Sequence, residues 1–261
     1  MTLVDSHAHL FLEEFDADRP EVMRRARDAG VTHIFMPNID SSTIAPLLKT
    51  CRDYPGLAFP MIGLHPTSIT AQNLHEELDT VSQWLDRDDT GFVAVGEIGM
   101  DLYWDQTFIN EQITALRTQV SWASDRQLPI VLHCRQAYTY IYKVLQPYRH
   151  SNLTGIFHSF TGDINELESM LTFDGFCIGI NGVATFKKSP LPQLLPRIPL
   201  DRLVLETDAP YLTPTPHRGK RNESAYLIYT LQVVAQAYGL PPKEVAQACS
   251  NNALRVFKVA K

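Results

Sequence analysis

The sequence predicts an α/β fold, a (β/α)8 barrel with additional C-terminal helices, with residues 1–261 forming a single domain. Three observations lead there. Short apolar runs alternate with longer amphipathic ones from end to end, as in a parallel sheet whose strands are joined by helices. There are eight such runs, the number that closes a barrel. The 261 residues are 44% hydrophobic and contain no Gly/Ser/Pro-rich linker, which suits one large core. A doubly wound open sheet is the alternative, but such sheets usually have fewer strands and do not spread ligand-type residues over so many of them.

The expected strands, in order, are LVDSHAHL (3–10), THIFMPNI (32–39), AFPMIGLHP (58–66), FVAVGEIGMD (92–101), PIVLHCR (129–135), TGIFHSF (154–160), GFCIGINGVATF (175–186) and RLVLETDAPYL (202–212). Each is a short apolar run rich in β-branched or aromatic residues and closed by polar, Gly or Pro positions. Between them lie helical patterns. EVMRRARDAG (21–30) ends on a glycine, and FINEQITALRTQVSWASDRQ (108–127) carries apolar residues at three- and four-residue spacing. After the eighth strand come SAYLIYTLQVVAQAYG (224–239) and a final helical pair, PKEVAQACS and NNALRVFK.

Bulk properties narrow the function. A net charge of −6 argues against a broad basic face that grips duplex nucleic acid, but leaves room for a phosphate site served by bound cations. Cys51, Cys134, Cys177 and Cys249 lie far apart with no C-x-x-C pair, as reduced thiols do in a cytoplasmic protein. No apolar run approaches a membrane span, and a strand starting at residue 3 leaves no room for a signal peptide. The expectation is a soluble cytoplasmic protein, a monomer or weak oligomer, with no membrane and no obligate protein partner.

Barrel enzymes place their chemistry at the C-terminal ends of the strands. Those ends carry His7, His9, His65, Glu97, His133, His158 and Asp208. Alternation along a strand puts His7 and His9 on one face with Asp5. By the same count Glu97 joins Val93 and Val95, His133 joins Val131, His158 joins Ile156 and Phe160, and Asp208 joins Val204 and Glu206. Any one of these is ordinarily a hydrogen-bonded core group or an ion-paired acid. Together, imidazoles and carboxylates are the donors that hold divalent cations. Glu206 points inward, where a lone carboxylate is costly, so it is expected to orient a ligand histidine or pair with a cation.

Loops after strands seven and eight often bind phosphate in barrels, which marks Arg218, Lys220 and Arg221. Lys187 and Lys188 are either phosphate contacts or solvated lysines. Arg135, two residues beyond His133, and His65 are further substrate-binding candidates. Tyr103, Trp104 and Tyr211 either stack on a base or pack under loops. There is no G-x-S-x-G elbow, Walker A loop or G-x-G-x-x-G, and Cys134 faces away from His133. His33, His75 and His150 receive no chemistry.

The segments DSHAHL, IGLHP, GEIGMDLYWD, LPIVLHCRQA, FHSFTG, IGINGVATFKK and ETDAPYLTPTPHRGKRNE run through the whole chain. In them the sequence resembles the TatD family of metal-dependent deoxyribonucleases, within the amidohydrolase-like barrels. The resemblance implies a TIM barrel with two divalent metal ions per chain, Mg2+ or Mn2+ for activity, with Zn2+ an alternative. It places His7, His9 and Asp208 on one ion, His133 and His158 on the other, and Glu97 on both. It implies a nucleic acid substrate, single-stranded or damaged DNA or DNA ends, digested 3′ to 5′, with Asp208 and Glu97 catalytic. The family often has aspartate where Gln136 stands and proline where Ser224 stands. A metal-dependent deacylase or amidohydrolase, for example on D-aminoacyl-tRNA, is the second reading, and a non-catalytic barrel binding protein the third. Many amidohydrolases bridge their metals with a carboxylated lysine, whereas the matching strand here offers Glu97.

Overall fold

Apolar strands that must bury both faces need helices outside and side chains inside, and the chain meets both needs. The computed structural model describes residues 1–260. Strands β1 (Leu3–Asp5), β2 (Val31–Pro37) and β3 (Ala58–Met61) pair in parallel in that order. So do β4 (Val95–Asp101), β5 (Ile130–Arg135), β6 (Gly155–Phe157), β7 (Phe176–Ile180) and β8 (Leu203–Leu205). Parallel bridges Ile62–Val95 and Ala8–Ala209 close the two seams, and the Ser6 N–H donates to Leu205 O across the second. The result is the expected (β/α)8 ring.

Helices α1 (Arg19–Asp28), α2 (Ile44–Asp53), α3 (Leu74–Leu85), α4 (Ile109–Asp125), α5 (Tyr138–Leu145), α6 (Ile164–Leu171), α7 (Leu191–Leu194) and α8 (Leu227–Tyr238) follow the eight strands in turn. The expected final helical pair is one continuous helix, α9 (Pro242–Phe257), because no breaker separates Ser250 from Asn251. Among the described residues no helix is long and apolar enough to cross a membrane.

One side chain at each strand, Val4, Phe35, Met61, Ala94, Val131, Ile156, Cys177 and Val204, forms a buried layer inside the barrel. Helix α9 covers this layer with Leu254, Val256 and Phe257, and the Phe257 ring stacks on Phe35 at 3.8 Å. The opposite rows, including Leu3, Ile34, Val95, Leu132, Phe157 and Ile178, pack against the helical coat. Apolar side chains buried this fully each contribute about 1.5–3 kcal/mol. With one end filled by α9, the C-terminal rim of the strands is left for chemistry.

Strand alternation fails in three places. Ala94 lies inside and Val95 outside, so a strict count would turn Glu97 outward, but a register break between Val95 and Ile98 returns it to the barrel. Asp5 leaves the histidine row and accepts hydrogen bonds from Thr207 and Ser224. Phe160 joins the outer core and not the row of His158, since Ser159 adopts φ 49° between them. The ladders are also shorter than expected. β8 ends at Leu205 and β7 at Ile180, because the rim residues leave the sheet to aim their side chains inward.

Candidate metal centre and active site

β1 and β8 are neighbours, and their extensions are laced together. The His9 N–H donates to Ala209 O and the Asp208 N–H to His7 O. Asp5 accepts from the Thr207 N–H at 2.9 Å and the Thr207 hydroxyl at 2.6 Å. Asn222 Nδ2 donates to Thr207 O and Tyr211 O, which fixes the turn that holds Asp208 at φ 58°. This lacing presents His7, His9 and Asp208 on one side of Glu97.

Glu97 is the hub. Its Oε2 lies 3.1 Å from His7 Nε2 and 3.6 Å from His9 Nε2. Its Oε1 lies 2.9 Å from His133 Nδ1, 3.4 Å from His65 Nε2 and 3.8 Å from His158 Nε2. Asp208 Oδ1 stands 3.6 Å from both His7 and His9 Nε2 and 3.7 Å from His158 Nε2. His7 and His158 stack with ring centres 3.4 Å apart. Three donor groups are tight enough to hold an ion: His7, His9 and Asp208; His7, Glu97 and His158; and His65, Glu97 and His133.

Burial opposes charge on Glu97, yet His7, His65 and His158 and the hydrogen bond from His133 outweigh it and hold the carboxyl well below the usual range. Burial also disfavours charged His133, but Asp101 and Glu97 raise it to about 9. For His158 burial is overcome by Glu206, Glu97 and Asp208, to about 10. Burial, reinforced by neighbouring imidazoles, pulls His7 down. The Nε2 atoms of His7 and His9 converge to 3.2 Å of each other and to 3.1–3.6 Å of the Glu97 and Asp208 oxygens, a crowd of lone pairs that protons alone satisfy poorly. A divalent cation shared with Glu97 and Asp208 fits this donor set, since imidazole and carboxylate are its usual ligands.

Two supporting carboxylates flank the hub. Glu206, expected to serve a histidine, is fully buried with Oε1 3.0 Å from His158 Nδ1, and it accepts the Ser159 N–H at 2.6 Å. The other support is absent from the sequence reading. Asp101 Oδ2 lies 2.9 Å from His133 Nε2 while its Oδ1 accepts the Tyr103 N–H. Its position closing the GEIGMD strand, four residues beyond Glu97, was the available signal. Helix α4 supports both rims: the Gln112 amide bonds Asp101 N and O, and Gln119 bonds Leu64 N and O beside His65.

The centre opens into a cavity of about 650 Å³ lined by His9, His65, Glu97, His133, His158 and Asp208, with Trp104, Arg135 and Tyr211 toward its mouth. Arg135 therefore lies where a substrate contact is expected. Arg218 does not line this cavity. It is exposed, with its guanidinium over the Phe186 ring at 3.7 Å and its Nη1 3.5 Å from Thr213 O. Arg221 is tied to Asp18 at 2.7 Å, and Lys187, Lys188 and Lys220 are exposed. Cys134 touches the cavity, but burial keeps its thiol protonated.

A parallel barrel whose rim gathers histidines and carboxylates around one shared glutamate defines a hydrolase of the histidine–carboxylate class. Comparison with known proteins makes that specific. The family described as TatD related DNase matches residues 4–258. The chain is 33% identical over 258 residues to an uncharacterized metal-dependent hydrolase, YabD, of Bacillus subtilis (strain 168), covering 98% of this chain and 99% of the relative. It is 33% identical over 274 residues to the 3'-5' ssDNA/RNA exonuclease TatD of Erwinia billingiae (strain Eb661), with 98% and 99% covered. The crystal structure of YJJV, a TatD homolog from Escherichia coli k12, superposes with a TM-score of 0.90 at 29% identity over 99% of this chain and 98% of that one. The chain belongs to the TatD related DNase family.

Proposed function

We propose that this chain hydrolyses phosphodiester bonds of DNA, removing nucleotides from the 3′ end of single strands with the help of two divalent cations. The observation that carries the reading is the division of Glu97: Oε2 faces His7 and His9, and Oε1 faces His65, His133 and His158. One carboxylate with imidazoles on both sides suits two adjacent ions. His7, His9 and Asp208 would hold the first, His133 and His158 the second, with Glu97 shared and His65 beside the second. Divalent ions supply acidity to water and neutralise charge on phosphate oxygens.

The protein groups divide the remaining work. The Asp208 side chain is 14% exposed and the Glu97 side chain 3%. Asp208 is therefore the carboxylate that reaches solvent in the cavity, and it accepts the proton of the water whose oxygen bonds to phosphorus as the P–O3′ bond breaks and the 3′-oxygen of the shortened strand leaves as a hydroxyl. Asp101 holds the His133 ring by a hydrogen bond, and the buried Glu206 carboxylate, 3.0 Å from His158 Nδ1, holds that ring by charge. Arg135 meets the phosphate at the mouth. The single-strand specificity is supported by the exonuclease named among the relatives and by a cavity that admits a strand end. Four buried thiols suit the reducing cytoplasm as its place of action.

The test is digestion of 5′-labelled single-stranded DNA with Mg2+ or Mn2+, with and without chelator, beside Glu97→Ala and Asp208→Asn, with metal content measured on all three proteins. The expected result is a ladder shortening from the 3′ end, absent with chelator and in both variants. Intact DNA with the metal-loaded native protein would refute the reading and direct attention to ester and amide substrates.

A further inference from the structure

Large apolar side chains seldom stand open to solvent without a reason. Three such aromatics, Tyr103, Trp104 and Tyr211, are 50%, 71% and 49% exposed near the rim that carries the metal centre, and Trp104 and Tyr211 line its cavity. Arg135 joins them. Its guanidinium lies 3.8 Å from the Tyr103 ring centre and 5.2 Å from that of Trp104, and it forms no ion pair among the described residues. Tyr103 and Trp104 meet edge to face, with centres 4.9 Å apart and planes at 86°. With Arg135 on one side, Trp104 still presents most of its ring to solvent, and the half-buried guanidinium borders the same cavity.

This corner is not a loose loop. Asp101 Oδ1 accepts the Tyr103 N–H at 3.0 Å and stands 3.4 Å from the Trp104 N. Its Oδ2 is the oxygen that contacts His133. One buried carboxylate thus sets both the ring of a metal-centre histidine and the backbone that carries Tyr103 and Trp104. Whatever lies on Trp104 is held at a fixed distance from the reacting centre.

We propose that Trp104, Tyr103 and Arg135 form a nucleotide subsite that stacks an unpaired base on Trp104 and holds its phosphate on Arg135. This rests on the phosphodiesterase reading and deepens it by naming the recognised unit. A flat ring beside a cation matches a nucleotide, which offers a π-face and an anionic phosphate a few bonds apart. A paired base inside a duplex has both faces covered by its neighbours, so the subsite selects single strands. Asp101 is its positioning residue, since it touches neither base nor phosphate.

The experiment compares native protein, Trp104→Ala and Arg135→Ala on a 5′-labelled oligothymidylate and on the same strand with abasic sites at its 3′ end. Trp104→Ala is expected to raise KM on the base-bearing strand about tenfold, within the range for one base–aromatic stack, with kcat changed far less. On the abasic strand Trp104→Ala and the native protein should share one raised KM, while Arg135→Ala raises KM on both strands. Binding is read separately, with chelator present, from tryptophan fluorescence. The oligothymidylate should quench the native protein more than it quenches Trp104→Phe, and the abasic strand should not distinguish the two. An unchanged KM in Trp104→Ala, or an equal change on both strands, overturns the subsite. If the native protein cleaves neither strand, the phosphodiesterase reading fails. The subsite is then judged by fluorescence: base-dependent quenching through Trp104 supports it, and its absence overturns it.

Discussion

Replacing Gly179 with alanine should disable the centre without touching any proposed ligand. Gly179 lies in β7, beside the buried end of Glu206. A Cβ there would stand 2.4 Å from Glu206 Oε2, 2.8 Å from its Cδ and 3.0 Å from its Oε1. Real Cβ atoms essentially never come within 3.0 Å of another heavy atom, so the first contact is about 0.6 Å too close. Glu206 is fully buried and has little room to retreat, and moving it breaks the 2.6 Å bond from the Ser159 N–H and the approach to His158. Overpacking of this kind costs about 1–3 kcal/mol, which lowers the melting temperature of a chain this size by about 2–12 °C. Freeing His158 should weaken metal binding or activity about 10- to 100-fold, as loss of a supporting contact usually does. Melting is followed by circular dichroism and metal affinity by titration calorimetry. Repeating Gly179→Ala in a Glu206→Asp background tests the cause, because a shorter carboxylate removes the clash and the two changes should not add. Native-like melting and metal affinity in Gly179→Ala, or strict additivity in the pair, would refute the reasoning.

The remaining expectations concern the frame and its titrating groups. Phe257→Ala should cost about 3–5 kcal/mol by emptying the barrel floor against Phe35, read as a lower urea midpoint; an unchanged midpoint would show that α9 does not plug the barrel. Gln119→Leu leaves Leu64 N–H and C=O unpaired in the core and should cost about 2–4 kcal/mol, with a loss of less than 0.5 kcal/mol on urea unfolding counting against the clamp. All four thiols are buried; burial pushes Cys51 up to about 12 and Cys177 to about 11, and Cys134 and Cys249 further. Native protein at pH 8 should therefore not react with a disulfide reagent until unfolded, and one rapidly titrating thiol would contradict this. In chelator-treated protein the His133 ring should titrate near 9 against an ordinary 6.5, with burial opposing and Asp101 and Glu97 prevailing. The raised value means His133 adds stability in full below about 6.5 that is lost as pH climbs through 9; an imidazole resonance titrating at or below 6.5 would refute it.

Residues differed in how far the sequence disclosed them. His7, His9, His133, His158 and Asp208 could be read because each stands at the end of an apolar run, and a parallel barrel delivers all such ends to one rim. Glu97 arrived at the expected place by another route. Alternation alone would have turned it outward, and the register break in β4 brought it back. The loop after strand eight marks Arg218 as a phosphate contact, but its guanidinium lies over the Phe186 ring of a different loop. Its place at a strand end makes His65 a substrate contact, yet its Nε2 lies 3.4 Å from Glu97 Oε1 and it stands in one donor group with Glu97 and His133. Gln112 and Gln119 left no mark, since a single buried amide has no periodicity to betray it, and Asp101 showed only its place at the end of the GEIGMD strand.

The sequence by itself determined the class of the protein. Eight apolar runs must pair and be covered, and the polar residues that finish them must share one end, because helical crossovers make successive strands parallel and hydrophobic burial fixes their faces. Only the tertiary structure decided which atoms meet. That Glu97 divides five imidazoles and that Asp101 ties His133 to Tyr103 depend on approaches of 2.9–3.8 Å, most of them between residues distant in the chain, and that Gly179 clears space for Glu206 depends on how β7 and the end of β8 meet. Such distances are set by register, left-handed turns and packing of the whole ring, which no local pattern of residues specifies.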